Sequence, residues 1–295
     1  MSTNFSATNS WIVLDDVESR IKQKIEEIGV PLKEWNVQIN YGIKTGFNEA
    51  FIISSAKRDE LIEKCPEADG IIRPILSGKD IKRYQFNWDE KWIIFTRKGI
   101  DIDQYPSIKD YLLPYYENLR PRNNNELTGR KPGPYKWFEI QDNVAYYKDF
   151  EKQKIAWGNL ALNGQFAIVD TGYYINAPSA FIATDDVYLI AILNSKLADF
   201  YIQQLGVKRN GGYFEYKPMF VEQLPIPLIS KDIQQQLKSK VEKLLKNPAL
   251  RSALEREIDE IVFSLYNITI EEKHAIYKAA VTIKSISAGE SLNML

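Results

Sequence analysis

INYGIKTGFNEAFII, residues 39–53, sets two glycines around a Lys-Thr pair and runs directly into an apolar segment. Glycine tolerates backbone angles closed to other residues and lets another group approach closely, so Gly42 and Gly46 mark a tight turn. Phe47, Ala50, Phe51, Ile52 and Ile53 follow as the apolar strand that anchors the turn to a core. Taken alone, the stretch specifies a turn before a strand, and glycines serving a hairpin or bulge are its simplest reading.

Working outward, Val17, Ile21, Ile25 and Ile28 recur at helical spacing, which predicts an amphipathic helix over 16–28 stopped by Gly29 and Pro31. From 37 to about 105 the texture changes to short apolar runs, FIIS, IIRPIL and KWIIFT, separated by Gly, Asp and Asn. These read as strands, with one short helix near 57–64. Residues 107–119 suggest a helix interrupted at Pro114, and 120–136 a long loop carrying Arg120, Arg122, three asparagines, Arg130 and Lys131. Strand-like runs return at KIAW (154–157), QFAIVD (165–170) and SAFIA (179–183), and 185–205 reads as one buried helix closed by Gly206.

The alternating prolines of LPIP, 224–227, favour an extended path and mark a boundary. Beyond it, 231–246 and a second helix starting at Pro248 predict a helical hairpin, and Thr269 with Glu272 forms a capping-box pattern opening a third helix. Residues from about 284 look frayed. The class expected is α+β: a mixed-sheet body over 37–230, flanked by a leader and helix over 1–36 and a C-terminal helical segment over 231–295. Each flanking helix has an apolar stripe it cannot bury alone, so the two ends are expected to pack together.

Composition narrows the chemistry. With 295 residues and 44% hydrophobic content the chain can bury a sizeable core, and 38 basic against 39 acidic residues leave net charge silent about a nucleic-acid partner. Cys65 is the only cysteine and His274 the only histidine, which excludes an internal disulfide, a zinc site of several thiolates and Ser-His-Asp chemistry. Asp15, Asp16 and Glu18 stand where a signal peptide would be basic and then apolar, and the longest apolar run, Val187 to Leu193, cannot span a bilayer. A soluble cytoplasmic protein, not associated with a membrane, is the expectation.

The sequence has no Gly-x-Gly loop, no Walker lysine motif and no Pro-Pro pair. Glu215-Tyr216-Lys217, Asp80-Ile81-Lys82 and Asp89-Glu90-Lys91 match the end of a metal-dependent nuclease motif, a pattern short enough to arise by chance in a charged chain. No catalytic and no metal-binding residues are therefore assigned. What remains is a set of loops mixing cations, amides and aromatics: Arg120–Trp137, WGNLALN (157–163), NAPS (176–179) and KRNGGY (208–213), joined by Lys44, Lys79 and Arg83. Arginine pairs bidentately with guanine and asparagine with adenine, while lysine positions the phosphate backbone. Each loop alone is more simply a solvated loop; several in one body without catalytic motifs make nucleic-acid reading competitive.

Enough markers are then present to name a resemblance. PLKEW (31–35), GIKTGFNEAFII (42–53), IIRPILSGKDIKRY (71–84), YPSIKDYL (105–112), LRPR (119–122) and YKWFEI (135–140) occur in order. KIAW, AILNSKLADFY (191–201), LPIP and EIDEIVFSLYNIT (257–269) continue the series. In this order and spacing the chain resembles the C-terminal specificity domain of TaqI-like and Eco57I-like restriction-modification methyltransferases. The resemblance implies a target recognition domain that reads double-stranded DNA, followed by helices like the spacers of restriction specificity subunits. It also implies an adenine-specific methyltransferase partner, with an Asn-Pro-Pro-Tyr motif and S-adenosylmethionine as its cofactor, and a nuclease further upstream in some members. This chain lacks the Asn-Pro-Pro-Tyr motif, so it is expected to bind no cofactor and to be non-catalytic, either a piece of a fused enzyme or a separate subunit.

On that reading Lys44, Thr45 and Gly46 carry over from the family motif, with Lys44 and Thr45 positioning backbone phosphates. Arg120, Arg122, Arg130 and Arg209 are expected base-edge or phosphate donors, Asn124, Asn159 and Asn163 amide readers, and Lys79 and Lys208 phosphate anchors. Arg83, Lys131, Tyr135, Asn176, Ser179, Asn210 and Tyr213 complete the expected DNA-binding set. The alternative is a protein-interaction module that docks a partner through its helices and leaves the loops solvated.

Overall fold

In the computed structural model, which describes residues 16–280, the apolar runs in the middle of the chain form two four-stranded sheets. The first runs in the order Phe166–Val169, Lys154–Trp157, Ala180–Ala183, Ile39–Tyr41 and is antiparallel throughout. The second runs Tyr174–Ile175, Ile72–Leu76, Lys91–Ile94, Ile52–Ser54, its first pair parallel and the others antiparallel. The class is α+β with mixed sheets, as expected. Single bridges from Ile43 to Asn176 and from Tyr84 to Ala167 stitch the strands further.

The first sheet separates two apolar cores, and the alternation of its strands decides which residue enters which. In Lys154–Trp157, Ile155 and Trp157 join one core while Ala156 joins the other; in Ala180–Ala183, Ala180 and Ile182 oppose Phe181 in the same way. Covered on both faces, such strands read as continuous apolar runs, which is why KIAW shows no polar alternation. Lys154 is the exception in that strand. Its Nζ donates to the Asp170 carbonyl at 3.0 Å, and burial pushes its ammonium down to about 8.

The first core also takes the helices. Asp16–Ile28 buries Ile21 and Ile25 there, beside Leu237, Val241 and Val262 of the helical hairpin Lys231–Lys246 and Arg251–Leu265. The two ends of the described chain pack together: Lys24 Nζ donates to the Asn267 carbonyl and to Glu272, both at 2.8 Å, and Arg20 pairs with Glu271 at 3.1 Å. The last helix occupies 270–280 of the described residues. Its capping box is formed as the sequence predicts, with Thr269 N donating to Glu272 Oε2 at 2.7 Å and Glu272 N to Thr269 Oγ1 at 3.3 Å. Pro225–Pro227 is extended and pairs antiparallel with Gly29–Pro31, so LPIP ties the first helix to the body.

Two expectations need correction. The segment after Gly46 is not one strand: Asn48–Phe51 forms a helical turn before the strand Ile52–Ser54. Thr45 Oγ1 accepts from Phe47 N at 3.1 Å and bonds Asn48 Oδ1 at 2.6 Å, which turns the chain before the apolar run can extend. Residues 185–205 are two helices, Val187–Leu193 and Lys196–Leu205. Asn194 leaves the helical path because its side chain bonds both backbone groups of Phe166, at 3.1 and 2.9 Å, and Ser195 Oγ then caps the second helix by accepting from Ala198 N. The interruption expected at Pro114 is present, as a 3-10 turn Leu113–Tyr115 between Pro106–Leu112 and Tyr116–Leu119. Among the described residues no helix is long and apolar enough to cross a membrane. The leader before residue 16 and the fraying expected from about 284 lie outside the described residues.

Candidate nucleic-acid interface

The turn at 42–46 is built against the 176–179 loop. Gly42 N donates to the Ser179 carbonyl at 2.8 Å, Ile43 N to Ile175 at 2.7 Å and Ala177 N to Ile43 at 2.9 Å. A Cβ on Gly42 would stand 2.5 Å from the carbonyl carbon of Asn176, so only glycine fits. From 176–179 the contact passes to 77–79, since a Cβ on Gly78 would lie 3.2 Å from Ser179 Oγ, and on to Gly158, whose own Cβ would lie 3.3 Å from the Gly78 carbonyl. Leu160–Ala161 then pairs with Phe214–Glu215, and Tyr216 N donates to the Asn159 carbonyl at 2.8 Å. In the other direction Gln141 N and Asp142 N donate to the carbonyls of Thr45 and Lys44, at 3.2 and 3.3 Å. Six loops that are remote in sequence thus form one continuous rim: 120–142, 42–46, 176–179, 77–79, 157–163 and 206–216.

Arg130 fastens one end of that rim from inside. It is 3% exposed, and its Nε donates to Leu119 and its Nη1 to Thr45, both carbonyls at 2.6 Å, while Nη2 reaches Trp137 at 3.0 Å and Lys136 at 3.3 Å. Its guanidinium lies 4.5 Å from the Tyr135 ring and 5.4 Å from that of Phe51, and burial pushes its pKa down to about 10. The expectation that Arg130 donates to bases or phosphates is therefore corrected: the side chain is buried, four of its five N–H groups donate to backbone carbonyls, and it clasps the long loop to the 42–46 turn.

Other expected contacts are also turned inward. Thr45 is buried, with its hydroxyl used within the turn, so phosphate positioning does not fall to it. Gly46 has φ +82°, and a Cβ there would stand 2.7 Å from Arg130 Cδ. Tyr135 is buried with its hydroxyl on the Lys131 carbonyl; Asn176 and Ser179 are buried in the turn they build. Arg83 pairs with Glu255 of the helical hairpin at 2.9 Å and so serves the helical junction.

The remaining candidates face outward. Lys44, Arg122, Asn124, Lys131, Lys208, Asn210 and Tyr213 are exposed, and Gly211 and Gly212 turn the 208–213 tip with φ of 72° and 75°. Three cations carry acidic neighbours: Lys79 on Asp89 at 3.0 Å, Arg120 between Glu117 at 2.7 Å and Glu126 at 2.6 Å, and Arg209 on Glu215 at 2.8 Å. Lys217, 2.6 Å from Glu215, and Arg209 together hold the Glu215 carboxyl below the usual carboxylate range. The Lys79–Asp89 pair is exposed and contributes only about 0–1 kcal/mol, so Lys79 can exchange its partner for phosphate at little cost, whereas the Arg120 side chain is largely covered and Glu215 is buried beside an exposed Arg209. Asn159 and Asn163 are half-buried, and Asn163 lines a small cavity with Lys196 and Asp199. Lys136 and Gln141 also belong to the rim, outside the expected set; the Lys136 cation next to Tyr135 and Trp137 is the signal that the sequence offers for it.

The family described as "TaqI-like C-terminal specificity domain" matches residues 73–226, just over half the chain. A curated relative, "Type II methyltransferase M.MjaIV" of Methanocaldococcus jannaschii, is 24% identical over 244 residues, covering 78% of this chain and 79% of that protein. Among solved structures, the type IIL restriction-modification enzyme MmeI in complex with DNA superposes over 86% of this chain and 36% of its own, with a TM-score of 0.62 at 14% identity, a likeness of fold. The type IIG restriction endonuclease BpuSI aligns over 85% of this chain and 33% of its own at 13% identity, with a TM-score of 0.47, too low to argue a shared fold. The chain spans about a third of the length of these two enzymes.

Proposed function

The chain belongs to the TaqI-like C-terminal specificity domain family, and we propose that it reads a short double-stranded DNA sequence on behalf of an adenine-specific methyltransferase. The observation that carries this reading is the continuous rim of six loops, joined by backbone hydrogen bonds and by close glycine contacts and bearing outward cations and amides. Lys44, Lys79, Lys131 and Lys208 act as phosphate anchors. Arg120, Arg122 and Arg209 supply donors to phosphates or base edges, Asn124 and Asn210 read adenine-like edges, and Tyr213 stacks or packs in the groove. Asn159 and Asn163 reach the duplex only if their half-buried side chains swing outward.

Methyl transfer from S-adenosylmethionine, and cleavage where a nuclease is present, belong to the partner domain or subunit. The relative M.MjaIV bears the name of a methyltransferase over a comparable matched length, but this chain has no Pro-Pro pair to form the adenine-methyltransferase motif. Incubating the chain alone with duplex and labelled S-adenosylmethionine is expected to give no methylated DNA; labelling would assign the chemistry here. The direct test of DNA reading is duplex affinity against salt, alone and with a methyltransferase partner. Phosphate anchoring gives log affinity falling linearly with log salt, by about 0.9 per phosphate neutralised. Absent or salt-insensitive binding by folded protein would overturn the reading.

A further inference from the structure

A cavity of about 400 Å³ opens at one end of the second sheet, and none of its residues lies in the six loops of the rim. The second sheet supplies Tyr174 to its wall, and the turn after Lys91–Ile94 supplies Arg97 and Lys98. The Arg97 guanidinium lies 4.1 Å above the ring of Tyr147, which fixes its plane while leaving its N–H edge unspent. Arg97 and Lys98 are both exposed, and neither side chain takes part in an ion pair or hydrogen bond among the described residues. Across the cavity Glu151 accepts from the Tyr174 hydroxyl at 3.0 Å and closes no ion pair with either cation. Burial, then the Glu151 charge, pushes the Tyr174 phenol up, so it remains a donor and leaves the second Glu151 oxygen as an acceptor.

The cavity therefore offers three unmet preferences at once. Two unpaired cations call for an anion, the Tyr105 ring in the wall offers a surface to a flat ring, and the Glu151 oxygen calls for an N–H or O–H donor. Its volume lies within the roughly 300–1,000 Å³ of small-molecule sites. We propose that this cavity binds a nucleoside monophosphate, with the phosphate on Arg97 and Lys98, the base against tyrosine, and an amino or sugar hydroxyl group on Glu151. The ligand's source is either a free nucleotide or the 5′-phosphorylated end of a DNA strand, which present the same groups. The assignment does not rest on DNA reading at the rim.

Isothermal titration of the full chain with adenosine 5′-monophosphate, adenosine and inorganic phosphate tests it. The monophosphate is expected to bind at one site, and adenosine and phosphate each at least about tenfold more weakly. Arg97→Gln is expected to weaken the monophosphate about tenfold with an unchanged unfolding midpoint, since Arg97 is exposed, and Tyr105→Leu should weaken it independently. No heat up to about 10 mM monophosphate, or equal binding by Arg97→Gln, would overturn the proposal. Competition separates the sources: displacement by a 5′-phosphorylated but not a 5′-hydroxyl duplex identifies a strand end, and displacement by neither identifies a free nucleotide. Displacement by both places the nucleotide on the rim and overturns the assignment.

Discussion

Arg130 and Arg209 occupy loops of nearly the same composition, each with arginine, lysine, asparagine and glycine close by, yet they are wired in opposite directions. Arg130 is closed in by carbonyls of four other residues, which take four of its five N–H groups, and is only 3% exposed. Arg209 is half-exposed and leans on one carboxylate, Glu215, from a tip turned by two glycines. The difference lies in the exposure of the guanidinium: Arg130 is closed in together with its carbonyls, whereas Arg209 stands open to solvent although its partner Glu215 is buried. A rim able to grip DNA needs both kinds, one to hold the loops in place and one to meet the ligand. The sharpest way to break this contrast is Arg130→Ala, which leaves several buried carbonyls without a donor. A buried carbonyl left without its donor costs about 1–3 kcal/mol, so urea unfolding is expected to show a fall of several such increments. A fall of less than about 1 kcal/mol would put Arg130 in the same class as Arg209.

Gly46→Ala probes the same clasp from the turn side. At φ +82° an alanine is strained, and its Cβ would press on Arg130 Cδ and on Gln141 Oε1, both at 2.7 Å, so a loss of about 1–3 kcal/mol is expected. A pH-dependent effect belongs to the helical junction, where Asp259 accepts from Lys196 N at 2.8 Å and burial raises its carboxyl from 3.8 to about 6. The folded state then holds a proton that the unfolded state has already released. The stabilising contribution is complete below pH 3.8 and is lost as pH rises through 6, so this group makes stability decline across that window. Asp259→Asn is expected to flatten the decline in unfolding curves taken at steps through this range; an unchanged slope would show that Asp259 is not its source.

Much of the fold was legible because local signals and burial agree. The first helix, KIAW, the helical hairpin and the Thr269–Glu272 capping box each follow from periodicity or from a cap a few residues away. What was illegible depends on distant partners. The break at Asn194 exists because that amide bonds Phe166, and Thr45 turns inward because Arg130 and Gln141 take its carbonyl. At the candidate site the loops themselves were legible from their cations and glycines, but which side chains face outward was not. Arg122 and Arg130 are both arginines of one loop, and only the arrival of the Leu119, Thr45, Lys136 and Trp137 carbonyls separates them.

The outward half of the contrast is sharpened by Arg209→Ala. Arg209 shares the buried Glu215 with Lys217, so the carboxylate keeps a partner when the arginine is removed, and the unfolding free energy is expected to fall by less than the about 3–5 kcal/mol of leaving a buried charge unpaired. Its effect should appear in binding: with Arg209 on a phosphate, the salt dependence of duplex affinity falls by about one phosphate contact, equally for all sequences. With Arg209 on a base edge, the cognate duplex weakens by about 1–3 kcal/mol more than a random one while the salt slope holds. Either result keeps Arg209 among the outward cations. A large loss of stability with no change in binding would instead make the 206–216 ribbon a second clasp and erase the distinction from Arg130.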